Sequence, residues 1–203
     1  MKVGILALQG DVDEHARILA DLDVDPIPVR VPADLAGVDA LVLPGGESTT
    51  MSLLLESSGL GDALSELLAD GLPAMGTCAG MILLGAGVVD GRPDQRSFGA
   101  IDVTVRRNAF GRQLQSFEAD LDVAVIEGGP MRAVFIRAPA VERVGAGVEV
   151  LAEVASTAGA GAPPRPARPV VCRQGPVVVA AFHPELSGDP RLHQLFLSAV
   201  RAI

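Results

Sequence analysis

The sequence predicts an α/β fold: an open, mostly parallel sheet with interleaved helices and a smaller antiparallel portion. Three observations predict it. Hydrophobic residues make up 49% of the 203 residues, yet there is no Trp or Tyr and only six Phe. Val, Leu, Ile and Ala must therefore fill the core, as they do in strands buried on both faces. In the first half, short apolar runs each end in a small-residue loop followed by an apolar-periodic stretch, which is the grammar of parallel strand–helix units. From Ser97 the pattern changes to strand-rich pieces with short connections, which predicts antiparallel pairing. The length suits one domain, residues 1–203, large enough to bury a core without disulfide or metal staples.

Val3 to Leu8 is the first strand; it ends at Gln9-Gly10, and Asp11 stands as N-cap of a helix carrying Val12, Ile18, Leu19 and Leu22. Val24 to Val31 holds Pro26 and Pro28 and reads as an extended segment at a sheet edge, because proline cannot donate to a ladder. Val38 to Leu43 is a clearer strand. It runs into Pro44-Gly45-Gly46-Glu47-Ser48-Thr49-Thr50, where the glycines permit close backbone approach to a ligand and Ser48 or Thr49 can cap the next helix. Leu60 to Leu68 is amphipathic, Gly71 stops it, and Pro73 to Thr77 is the strand that delivers Cys78.

Further strands are predicted over 101–106, 117–125, 133–136, 148–154, 170–173 and 177–182. Residues 155–169, rich in Ala, Gly and Pro with no hydrophobic period, read as a flexible surface loop. The last helix runs from Arg191 to about Val200, with Leu192, Leu195, Phe196 and Val200 on one side.

Gly76-Thr77-Cys78-Ala79-Gly80 places a cysteine where a strand turns sharply into a helix, with small residues leaving room for the bend. Unpaired N–H groups of the helix start favour thiolate and can bind a developing oxyanion. A small buried core cysteine would fit the same run equally well. His183 stands at another strand end, with Glu185 two residues on, near enough to fix the imidazole tautomer and stabilise imidazolium. His15 and His193 lie within helical patterns and read as structural. The loops at 9–10, 45–47 and 78–80 should converge beyond the carboxyl ends of the parallel strands, where open α/β sheets bind ligands. Nucleophile, base, orienting carboxylate and Gly-rich loop together make the parts of an acyl-transfer enzyme.

The charge balance, 16 basic against 25 acidic residues for a net −9, argues against non-specific binding to nucleic acid or anionic membranes. No stretch approaches the roughly 20 apolar residues of a membrane span. Cys78 and Cys172 offer neither metal-type spacing nor a disulfide framework, so a soluble cytoplasmic protein without metal or cofactor is predicted.

Order and context resemble the class I (triad) glutamine amidotransferases over nearly the whole chain. Within them the chain is similar to the glutaminase subunits of pyridoxal 5′-phosphate synthase, through Leu8-Gln9-Gly10, Leu43 to Met51, Gly76 to Gly80, Arg107-Asn108-Ala109-Phe110-Gly111-Arg112-Gln113, Phe135 to Pro139 and Phe182 to Leu186. The first, second and fourth stretches discriminate this family from others of the class. The resemblance implies a three-layer α/β/α, flavodoxin-like fold with a mixed, mostly parallel sheet. It implies hydrolysis of L-glutamine to glutamate and ammonia through a γ-glutamyl thioester on Cys78, with His183 and Glu185 completing the catalytic triad. Gly46 and Ala79 would form the oxyanion hole, and Gly46, Glu47, Ser48, Arg107, Ile136 and Arg137 would line the glutamine site.

The same resemblance implies a partner: a (β/α)8-barrel synthase subunit, in a large hetero-oligomer, that receives the ammonia through a channel and orders the oxyanion loop. The stretch 155–169 departs from the family pattern, being longer than the hairpin expected there. Alternative readings are a glutaminase serving another amidotransferase, a cysteine hydrolase of γ-glutamyl peptides, and a non-catalytic regulatory relative.

Overall fold

The computed structural model describes residues 1–110, 116–155 and 166–202. In chain order the first half contains β1 (Lys2–Leu6), α1 (Val12–Asp21), β2 (Asp25–Val29), β3 (Ala40–Leu43), α2 (Ser48–Ser58), α3 (Leu60–Ala69), β4 (Ala74–Thr77) and α4 (Ala79–Leu84). The second half contains β5 (Gly85–Val89), β6 (Ile101–Arg106), β7 (Ser116–Leu121), β8 (Met131–Ile136), β9 (Ala140–Val144), β10 (Glu149–Val154), β11 (Arg168–Gln174), β12 (Val177–Ala180) and α5 (Arg191–Arg201). The main sheet has seven strands in the order β10-β11-β12-β4-β3-β1-β2. The pairs from β12 to β2 are parallel and the two pairs β10–β11 and β11–β12 are antiparallel. A three-stranded sheet, β5-β6-β9, and a two-stranded one, β7-β8, complete the strands among the described residues. This is the mixed, mostly parallel α/β arrangement that the sequence predicts.

Strands β3 and β12 are short, continuous apolar runs and β4 departs from one only at Thr77; all three are buried at every position, which is what a sheet covered on both faces demands. Strand β2 pairs only with β1. Pro26 and Pro28, two residues apart, direct their missing donors to the same side, so β2 tolerates them only as an edge.

Several local expectations are corrected. Asp11 precedes α1, but its side chain makes no cap hydrogen bond. Glu47, rather than Ser48 or Thr49, caps α2, its carboxylate accepting from the N–H groups of Thr49 and Thr50. Strands β5 and β9 are not legible in the sequence. Gly85 and Gly87 weaken the first, and Glu142 and Arg143 break the apolar pattern of the second. The buried face of α5 consists of Leu192, His193, Phe196 and Leu197. Strand β11 begins at Arg168, inside the stretch read as loop, and residues 156–165 of that stretch lie outside the described residues.

The turn from β4 into α4 is held by close backbone packing. A Cβ on Gly80 would lie 1.9 Å from the carbonyl oxygen of Leu43 in β3, a backbone atom that cannot rotate aside. Gly80→Ala is therefore predicted to destabilise the fold by about 3 kcal/mol. Urea unfolding measures this, and an unchanged midpoint would contradict the packing described.

Candidate active site

Cys78 sits at the apex between β4 and α4 with φ 48° and ψ −102°, a conformation that side chains other than glycine rarely adopt. Its own N–H donates to the carbonyl of Ala180 at 2.8 Å, pinning the bend to the end of β12. Helix α4 has six residues. Its contribution at Cys78 is thus the unpaired N–H groups of one short turn rather than a long macrodipole. The cysteine is 7% exposed, and it borders a cleft of about 350 Å³.

Beyond Ala180 the chain leaves the sheet and presents His183 to the same cleft. The His183 N–H donates to the Val134 carbonyl in β8 at 2.9 Å. Phe182 packs on Phe135, and Phe135 stacks on Phe117 with centroids 4.5 Å apart. A rigid aromatic wall thus fixes the backbone on which the imidazole is mounted. On its other side the ring lies against Gly45, where a Cβ would come within 2.3 Å of Cε1. The glycine pair at 45–46 accordingly serves ring packing as well as loop geometry.

Glu185, in a turn of 3-10 helix, places Oε1 2.7 Å from His183 Nδ1. Burial disfavours the charged ring, but the hydrogen bonds and negative charges of Cys78 and Glu185 outweigh it and raise the His183 pKa to about 10. Cys78 and His183 thus border the same cleft, and Glu185 is hydrogen-bonded to the ring from behind. That arrangement suits a thiol nucleophile with a base beside it and a carboxylate behind the base. Asp11 adds a carboxylate oxygen 3.8 Å from His183 Nδ1. Asp11, His183 and Glu185 bring potential ligand atoms within 4.8 Å of one another. The short bond between His183 and Glu185, however, uses the ring nitrogen a cation would need.

The loop after β3 forms the facing wall. Gln9 Oε1 accepts from the Glu47 N–H at 3.1 Å, joining the loops that follow β1 and β3. Partial burial opposes ionisation of Glu47, but the N–H groups of Thr50 and Thr49 and their hydroxyls hold its pKa at about 2. The same carboxylate receives Arg107, whose Nη2 lies 2.8 Å from Oε1 while Nη1 reaches the Thr49 hydroxyl at 3.1 Å.

Gly46, Glu47, Ser48, Arg107, Ile136 and Arg137, predicted to line a glutamine site, do line this cleft, and so does Ala79. Arg137 has φ 43° and makes no ion pair among the described residues. Ser48 Oγ is buried without a hydrogen-bond partner among them. The motif residues Gly111, Arg112 and Gln113 lie outside the described residues. Sequence reasoning missed Asp11 as a cleft residue, because a helix-capping role accounted for it fully. Cys172 is fully buried in β11, and burial together with the nearby Glu153 raises its pKa to about 12, leaving it an inert core thiol.

The raised value for His183 sets a pH window. A folded-state pKa above the ordinary 6.5 means that the stabilisation by the charged ring is complete below about pH 6.5 and is lost as pH rises through about 10. Ring-proton NMR should accordingly find His183 protonated well above neutrality. In Cys78→Ala the midpoint should fall, since burial then opposes only the glutamate. An unchanged midpoint would mean that the cysteine does not share the proton.

The chain matches the model of the SNO glutamine amidotransferase family over residues 5–202. It is 57% identical over 201 residues to "Pyridoxal 5′-phosphate synthase subunit PdxT" of Rhodococcus jostii (strain RHA1), covering 99% of this chain and 98% of the relative. The protein of the same description from Frankia alni is 56% identical over 201 residues, with 99% and 96% covered. Among solved structures, one described as a glutamine amidotransferase superposes with a TM-score of 0.85 at 45% identity, covering 98% of each chain. PurLQS from Thermotoga maritima, at a TM-score of 0.66 and 15% identity over 97% of each chain, shares the fold. A family model spanning nearly the whole chain, with identities above one half over the same length, leaves one conclusion about kinship: the chain belongs to the SNO glutamine amidotransferase family.

Proposed function

We propose that this chain is the glutaminase subunit of a pyridoxal 5′-phosphate synthase, acting as a single domain that hydrolyses L-glutamine to L-glutamate and ammonia. The observation that carries the reading is Cys78 and His183 on one cleft, with Glu185 bonded to the ring from behind, in a chain more than half identical to synthase subunits of that description. Cys78 Sγ attacks the side-chain amide carbon. The tetrahedral intermediate then expels ammonia as His183 delivers its proton to the leaving nitrogen, and a γ-glutamyl thioester is left on Cys78. Water, deprotonated by His183, attacks that thioester, and glutamate leaves as the thiol is restored. Glu185 holds the imidazole in orientation and balances its charge throughout.

The Cys78 N–H is already bonded to Ala180. The oxyanion donors are therefore assigned to the N–H groups of Ala79 and Gly46, each worth on the order of 3 kcal/mol in the transition state. Arg107 is engaged by Glu47. We accordingly assign the substrate α-carboxylate to Arg137, with Ser48 and Ile136 beside it and Glu47 steadying the loop. No cofactor takes part in this chemistry. The ammonia passes to a (β/α)8-barrel synthase subunit within a hetero-oligomer, and the two free cysteines suit a reducing compartment such as the cytoplasm.

Glutamate release from L-glutamine, with the chain alone and with a purified pyridoxal 5′-phosphate synthase subunit added, tests the reading. Large stimulation, abolished in Cys78→Ala, is the expected result; strong activity without the partner would favour an autonomous hydrolase. Gly46 has φ 153° and sits against Met51 and Gln9, so Gly46→Val should strain the oxyanion loop. Stimulated activity is expected to fall at least about 100-fold, while binding to the synthase subunit is retained. Equal loss of both would refute a role of Gly46 confined to the oxyanion loop.

A further inference from the structure

Behind Glu185 lies a pair of histidines that the mechanism above does not use. His15 on α1 and His193 on α5 are both fully buried, with His15 Nδ1 2.9 Å from His193 Nε2. The opposite nitrogen, His15 Nε2, lies 3.4 Å from Glu185 Oε2 and 3.4 Å from the Thr77 hydroxyl. Two helices distant in sequence thus meet on the back of the triad carboxylate.

The hydrogen-bond inventory fixes where the protons sit. His193 Nδ1 has no hydrogen-bond partner among the described residues. A buried N–H without an acceptor is rarer and costlier than a bare lone pair, so the His193 proton belongs on Nε2. It points at His15 Nδ1, which must then accept, and the His15 proton belongs on Nε2, facing Glu185 Oε2 and Thr77 Oγ1. Burial keeps both rings neutral, lowering His193 to about 4 and, helped by His193 and His183, lowering His15 well below its ordinary value. No well-aligned hydrogen bond reaches Glu185 Oε2. The contact at 3.4 Å, shared with Thr77, acts as a dipole aimed at the carboxylate.

We propose that His15 is a positioning residue for Glu185: the dipole of its Nε2–H, 3.4 Å from Oε2, favours the carboxylate orientation in which Oε1 stays on His183 Nδ1, and His193 fixes the tautomer that directs this dipole. The role rests on the triad reading given above. Other charged groups nearby are otherwise engaged. Glu14 and Arg17 on α1 pair with each other at the surface, and Arg191 on α5 pairs with Asp189. Asp11, 3.8 Å from His183 Nδ1, approaches the ring from the cleft.

Two variants separate positioning from packing. His15→Leu fills the space without a donor, and His15→Gln restores an N–H at similar reach. The readout is the rate at which iodoacetamide alkylates Cys78, followed by mass spectrometry from about pH 5.5 to 8.5, with thermal unfolding of each variant as a check on folding. At about pH 6.5 the leucine variant should react about tenfold more slowly than the unaltered chain, while the glutamine variant recovers most of the rate. Nitrogen-15 ring shifts of the unaltered protein near neutral pH should show both His15 and His193 carrying their proton on Nε2.

Equal impairment of the two variants, an unaltered rate in both, or either ring found charged or protonated on Nδ1 would overturn the role. An unaltered chain whose Cys78 reacts no faster than a free thiol would instead overturn the triad itself, and the role of His15 with it.

Discussion

The hydrogen bond from the Cys78 N–H to the Ala180 carbonyl, 2.8 Å long, is the constraint on which the rest of the site depends. Without it a cysteine at φ 48° has no reason to stay there, since the conformation is strained for any residue but glycine. With it, the apex of the β4–α4 bend is tied to the strand end that leads to His183. Gly80 against Leu43 closes the other side, so that the elbow is gripped between β3 and β12. The thiol is thereby placed by the strands on either side of it, while the imidazole is placed by the His183 N–H bond to Val134 and by its packing on Gly45.

The second determinant is electrostatic. An imidazole that is 5% exposed should shed its proton, yet Cys78 and Glu185 beside it outweigh burial and raise its pKa to about 10. Neighbours within the fold, rather than solvent, thus set the charge of the ring. A comparable economy operates across the cleft, where the single carboxylate of Glu47 caps α2, binds Arg107 and is tethered through its backbone to Gln9. Loops that follow three different strands are in this way joined into one wall.

The strands that carry the site were legible because β1, β3, β4 and β12 are buried runs with nothing to hide them, and the loops at their ends announce themselves by glycine and small residues. The edge position of β2 followed from two prolines. What escaped notice depends on contacts between distant segments. Glu47 displaced Ser48 as helix cap because its carboxylate reaches two N–H groups at once, which no propensity encodes. Asp11 turned from its expected cap towards His183. His15 and His193 had identical local signatures to any core histidine, and only the meeting of α1 with α5 gives them a shared partner. Strands β5 and β9 form because β6 lies between them, and neither has an apolar pattern strong enough to be read alone.

The prolines of β2 bear also on assembly. Along that rim of the seven-stranded sheet, Pro26 and Pro28 leave the outward positions with carbonyl acceptors but without the matching donors. A foreign strand laid against this rim would find its ladder broken at alternate residues, so the rim cannot serve as a template for fibril growth or for a partner that binds by adding a strand. A subunit that docks on this side would find carbonyl acceptors and side chains rather than a complete ladder, and strand-to-strand pairing with copies of the chain is hindered there.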